Sequence, residues 1–149
     1  MTQANHPALE VGDLIVIRGT HSIGPITFQL SIGKQLALTG GNGIGKSSML
    51  LAIAGLLPVT SGTIRISGES MLSGSDGVEP WQRGISWLGQ ERGLWPHLSI
   101  EAQCRLVARD GGKTAEQIVA VAQSLDMAEL IQRRPAALSG GEAQRAELL

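Results

Sequence analysis

Gly40-Gly41-Asn42-Gly43-Ile44-Gly45-Lys46-Ser47-Ser48 decides how the rest of this 149-residue chain is read, because it carries the whole G-x-x-x-x-G-K-[ST] pattern between two apolar stretches. A phosphate chain needs hydrogen-bond donors that approach closely, and glycines without a Cβ let backbone N–H groups do so. A following helix would aim its free N–H groups and the positive end of its dipole at the same phosphates. Lys46 adds a mobile point charge, and Ser47 is placed to put its hydroxyl on Mg²⁺. A glycine-rich turn before a buried helix is the bland alternative, but it needs neither Lys46 nor Ser47. The pattern therefore predicts that the chain binds a nucleoside triphosphate.

Working outward, residues 35–39 (Gln-Leu-Ala-Leu-Thr) read as an apolar strand entering the loop, and residues 46–57 as a helix that is apolar nearly all round and belongs inside the domain. Upstream, residues 25–32 alternate, with Ile26, Phe28, Leu30 and Ile32 on one face, and residues 9–17 alternate likewise. The first third is predicted to form antiparallel strands. Downstream, residues 63–67 read as a strand and the Ser- and Gly-rich residues 70–80 as an exposed loop, whereas residues 85–89 read as a buried strand. Ser99 is a candidate N-cap for a helix with Ile100, Cys104 and Val107 on one stripe. Thr114 and Gln117 have capping-box spacing before Ile118, Val121, Ala122 and Leu125.

Composition narrows the classes. Twelve basic against thirteen acidic residues, a net charge of -1, argue against a nucleic-acid surface or a patch for anionic lipid. Cys104 is the single cysteine, so no intramolecular disulfide forms and a reducing compartment is expected. The polar N-terminus lacks the pattern of a secretory signal, and the longest apolar stretch, residues 49–59, is shorter than the ~20 residues of a membrane span. A cytoplasmic protein of one domain is predicted, associated with a membrane only through a partner. His6, His21 and His97 show no ligand spacing with one another or with Cys104. Trp81 and Trp87 are expected in the core, with core and function left open for Trp95.

A second motif, Leu138-Ser139-Gly140-Gly141-Glu142-Ala143-Gln144-Arg145, is readable as a helix start, since Ser139 and Glu142 form a capping box. Two glycines in a first turn cost about 1 kcal/mol each relative to Ala. They gain a purpose if a phosphate approaches that backbone closely.

With these motifs in order the chain resembles the ATP-binding cassette family. The phosphate loop is Gly40 to Ser48, the family's glutamine is Gln90 after the residue 85–89 stretch, and the signature is Leu138 to Gln144. Ala54-Gly55-Leu56 and Ser61-Gly62 fit the same pattern. The resemblance implies an α/β fold: a P-loop NTPase with an N-terminal antiparallel β part (about 1–34), a P-loop core (35–90) and a helical signature part (91–149). It further implies ATP and Mg²⁺ as ligands, with Gly40, Gly41, Asn42, Gly43, Ile44, Gly45, Lys46, Ser47 and Ser48 around the phosphates. Ser47 and Gln90 approach the metal, Lys46 and Gln90 serve hydrolysis, and Ser139, Gly140, Gly141 and Glu142 close on a nucleotide held by a second cassette subunit.

A membrane-spanning permease, at the inner face of the cell membrane, is the other implied partner. Gly93-Leu94-Trp95-Pro96-His97-Leu98-Ser99 looks like the stretch that follows this glutamine in importers of ions and small solutes. The solute and the identity of the dimer partner are not encoded in these residues. The chain departs from the family pattern in one large respect and in two smaller ones, the position that meets adenine and Glu142 in place of the commoner Gln. The Asp-Glu strand that would hold Mg²⁺ and polarise the attacking water is not reached by Leu149, nor are the following dimer-contact loop and switch histidine. The C-terminal part of the core sheet is thus expected to be missing, the chain to be a fragment of a longer protein, and the chain alone to bind ATP weakly and hydrolyse it poorly. Where the family often stacks adenine on an aromatic residue, this chain has Ile17-Arg18-Gly19, so Arg18 is the candidate for the base. The rival expectations are a soluble cassette ATPase acting on ribosomes or DNA, and a non-hydrolysing nucleotide-binding remnant.

Overall fold

A computed structural model describes residues 6–74, 76–89, 93–111 and 114–149. It divides into two compact units, residues 1–86 and 87–149.

In the first unit, the alternating apolar residues build a five-stranded antiparallel sheet of order β2-β1-β3-β4-β5. The strands are β1 (Leu9–Arg18), β2 (His21–Leu30), β3 (Ser61–Ile66), β4 (Glu69–Ser73) and β5 (Asp76–Gly77). The hairpin turns at Gly19-Thr20, with Arg18 opposite His21 and Leu9 opposite Leu30. β2 therefore begins earlier than the alternation alone indicates, and Ile32 lies beyond its end, exposed. β1 bulges at Asp13, whose φ is 45°. Thr27 fastens the bulge, accepting from Asp13 N–H and donating to Asp13 Oδ1, both at 2.9 Å. β2 forms one border of the sheet and carries Pro25; the two-residue β5 forms the other.

The helix α1 (Lys46–Ala54) lays Met49, Ala52 and Ile53 against Val11, Leu14 and Val16 of β1, Ile64 of β3 and Met71 and Leu72 of β4. Each of the large side chains so buried contributes roughly 1.5–3 kcal/mol. Residues 70–80, expected as an exposed loop, instead supply β4 and β5, because Met71 and Leu72 are drawn into this core and Val78 N–H bonds Met71 O at 2.9 Å. α1 is also shorter and less enclosed than expected. Gly55, at φ 83°, ends it, with Leu56 N–H returning to Leu51 O, and Leu50 stays exposed.

Neither residues 35–39 nor residues 85–89 form a strand. Both were expected as strands, the first apolar and entering the phosphate loop, the second buried. A strand exists by the ladder it shares, and among the described residues neither segment has a neighbour that provides one. Trp81 and Trp87, expected in the core, are 78% and 42% exposed for the same lack of covering structure.

The second unit is helical: α2 (Ile100–Gly111), α3 (Ala115–Ser124) and α4 (Gly140–Ala146). Ile100, Ala122, Met127, Ile131 and Ala146 form its core. Ser99 Oγ accepts from Ala102 N–H, as the N-cap reading requires, and Thr114 and Gln117 close the expected capping box. α2 is rotated relative to its expected stripe. Val107 is exposed, and among the described side chains of α2 the buried ones are Ile100, Gln103 and Ala108. Gln103 tolerates this because its amide accepts from Trp95 N–H and donates to Trp95 O and Leu98 O.

Candidate functional site

The phosphate loop sits between a segment without ladder bonds and the first turn of α1, so its shape is set locally. Gly40, Gly43 and Gly45 all take positive φ, at 151°, 78° and 105°. Gly45 has a second reason to be glycine: a Cβ there would stand 2.7 Å from three carbons of Ile23 on β2. Gly41, Asn42, Gly43 and Ile44 face solvent.

The first helical hydrogen bond of α1 is Met49 N–H to Gly45 O at 2.9 Å, so the N–H groups of Lys46, Ser47 and Ser48 have no acceptor within the helix. No side chain caps this end and no acidic residue stands in its first turn. Lys46 Nζ folds back over the loop, donating to Gly40 O at 2.8 Å and Gly41 O at 2.7 Å, which leaves one of its three protons unused. Ser47 is exposed, whereas Ser48 is buried and its Oγ accepts from Arg18 Nη1 at 3.4 Å. Free N–H groups, a helix dipole and two cations thus converge where no described carboxylate balances them. The N–H groups and Lys46 fit a phosphate chain, and the exposed Ser47 hydroxyl fits one position on a hard cation that phosphate oxygens would share.

In the second unit the signature residues open α4. Ser139 is its N-cap, accepting from Glu142 N–H at 3.4 Å, while Glu142 Oε2 accepts from Ser139 N–H at 2.7 Å. These bonds to Ser139, and secondarily Arg133 and Arg145, hold the Glu142 carboxyl below its ordinary range. Gly140 and Gly141 are exposed, and a Cβ on Gly141 would meet only Arg145 Nη1, at 4.0 Å. Among the described residues nothing demands glycine at 141. Gln90 lies outside the described residues, as do Glu91 and Arg92. The segment that follows is tied down on one side by Gln103 and on the other by Glu147, whose Oε1 accepts from Gly93 N–H at 2.7 Å. A mostly apolar cavity of ≈ 480 Å³, bordered by Trp87, Trp95, Cys104 and Ile118, opens in the same unit.

Three residues here were invisible to motif reading: Gln103, Glu147 and Arg83. Arg83 is 6% exposed and donates to the carbonyls at the end of α1. Arg83 and Glu147 reach partners about 30 and 54 positions away, and Gln103 bonds loop backbone, so no motif announces them.

Residues 23–149 match the profile of the ABC transporter family. The chain belongs to that family. It is 37% identical over 130 residues to the sn-glycerol-3-phosphate import ATP-binding protein UgpC of Escherichia coli (strain K12), and equally to that of Shigella boydii serotype 4, covering 85% of this chain and 35% of each relative. Among solved structures it resembles the ATP-binding subunit of an ABC transporter, with a TM-score of 0.79 at 27% identity over 95% of this chain and 60% of that one. The fold also matches MJ1267, an ATP-binding cassette of an ABC transporter, with a TM-score of 0.80 at 17% identity over 95% of this chain and 63% of that chain. The chain thus spans about a third of the length of the curated ABC relatives and under two thirds of the solved cassettes. Its likeness to them is that of the N-terminal portion of an ABC ATPase. Among the described residues no helix is long and apolar enough to cross a membrane.

Proposed function

We propose that this chain is the ATP-binding portion of an ABC transporter ATPase subunit of importer type. The observation that carries it is the uncapped start of α1 under a loop of positive-φ glycines, with Lys46 Nζ held across the loop mouth. Gly40 to Gly45 wrap the phosphates with backbone N–H groups. Lys46 exchanges its carbonyl partners for phosphate oxygens, and Ser47 gives its hydroxyl to Mg²⁺. The metal, when bound, neutralises phosphate charge. Gln90 is proposed to reach the same metal and serve hydrolysis, and Ser139, Gly140 and Gly141 to close on the nucleotide of a partner cassette. Because Glu142 spends its carboxylate on the α4 cap, we assign it to shaping the helix start rather than to touching phosphate.

A permease at the cytoplasmic face of the membrane completes the assembly. The import role of the UgpC relatives supports the direction of transport. Nucleotide binding is the property that tests this reading directly, because the residues named here hold the phosphates and the metal. Titration of the chain with MgATP should give saturable binding, and Lys46→Ala, folded by circular dichroism, should weaken it at least about tenfold, the worth of one charge-assisted hydrogen bond. Equal affinity in the two proteins would remove the assignment.

A further inference from the structure

α1 is anchored at its far end. Nothing caps its N-terminus by a side chain, yet at its C-terminus Arg83 Nη1 donates to Ala52 O at 3.2 Å and Ile53 O at 2.9 Å. The same guanidinium sends Nε to Val78 O at 2.8 Å, joining α1 to the segment that leaves β5. Two glycines make room for it: a Cβ on Gly55 would lie 2.7 Å from Arg83 Nε, and one on Gly77 3.2 Å from Nη2. Burial pushes the guanidinium down from its ordinary value while Glu79 acts against that, and the cation sits where the helix dipole is negative. A surface arginine would serve stability alone at less cost in desolvation.

α1 is a nine-residue helix, about 13.5 Å long, and moves as one body. Its axial position fixes where the N–H groups of Lys46, Ser47 and Ser48 stand. We propose that Arg83 is a positioning residue for nucleotide binding: by clamping the C-terminal carbonyls of α1 it sets the register of the phosphate loop at the other end. This rests on the phosphate loop binding ATP, as proposed above. Arg83 holds the end of α1 opposite the phosphate loop and acts through the helix. Lysine in its place keeps the charge but lacks the planar fork that serves Val78 O and the α1 carbonyls together.

MgATP titration of the wild-type chain, Arg83→Met, Arg83→Lys and Lys46→Ala, well below the melting temperature of each, decides the matter. Loss of melting temperature alone would be moved by any structural role, so the readout is the Kd of folded protein. Arg83→Met is expected to raise Kd about tenfold, since small misplacements of binding groups are costly. Arg83→Lys should fall between it and the wild type; if the Met variant fails to fold, the Lys variant carries the test. A folded Arg83 variant that melts earlier but binds with wild-type Kd overturns the positioning role and leaves the phosphate-loop assignment standing. A wild-type chain that binds no MgATP overturns both.

Discussion

Arg18 and Lys46 are cations brought to the positive end of a helix, an arrangement that is unfavourable until an anion or a polarisable ring joins them. Lys46, held across the loop by Gly40 O and Gly41 O, is the cation we propose for the phosphates. Arg18 stands one step to the side, 3.4 Å from Ser48 Oγ, and its planar guanidinium suits a purine face. Arg18→Ala should therefore weaken ATP binding about fivefold, a loss typical of one cation–π contact, and leave inorganic tripolyphosphate binding unchanged. Competition assays with both ligands check this, and an equal loss for both would move Arg18 from the base to the phosphates. Gly45 is the residue where loop and sheet meet. Gly45→Ala should lower the melting temperature and ATP affinity together, because the added methyl strikes Ile23 and the φ of 105° is strained for alanine.

At the scale of elements, the helix starts were legible and the helix ends were not. Thr114-x-x-Gln117 and Ser139-x-x-Glu142 announce their capping boxes within four residues, and both boxes are closed in the structure. The stop of α1 depends on Gly55 together with Arg83, 28 positions onward, and the rotation of α2 depends on a polar residue, Gln103, making three hydrogen bonds to the backbone of Trp95 and Leu98 in the loop before the helix. Local patterns carry no trace of such pairings. The strands 35–39 and 85–89 failed for a related reason: an apolar run states that a strand could form, and only a neighbour makes it one. The α4 cap has a pH signature. Glu142 is held below its ordinary pKa, so its contribution is complete above about pH 4.3, the unfolded value. It is lost as pH falls through the lower, folded value. Helix content should drop across that acid range in the wild type. Glu142→Gln, which keeps an acceptor but has no charge to lose, should lack that step; circular dichroism between pH 2 and 5 measures it.

For the whole molecule, the antiparallel sheet and the helical unit each have a core of their own, with Leu14, Val16 and Ile64 fully enclosed in one and Ala122 and Met127 in the other. The segments at residues 35–39 and 85–89 are exposed or half-buried and without ladder bonds. Hydrogen exchange read by mass spectrometry should therefore find slow amides in β1 and β3 and fast ones in residues 35–39 and 85–89. Slow exchange at residues 35–39 in the isolated chain would show that the loop enters from a formed strand after all.

The borders of the sheet carry a last consequence. Backbone pairing with a foreign strand needs an uninterrupted row of donors and acceptors along an outer strand. On β2 that row is broken by Pro25, which has no N–H to give, and on the opposite side β5 offers only Asp76 and Gly77. Neither border can template a growing ribbon of sheet. A protein partner that docks on this unit would therefore meet its loops and helix rather than extend its sheet.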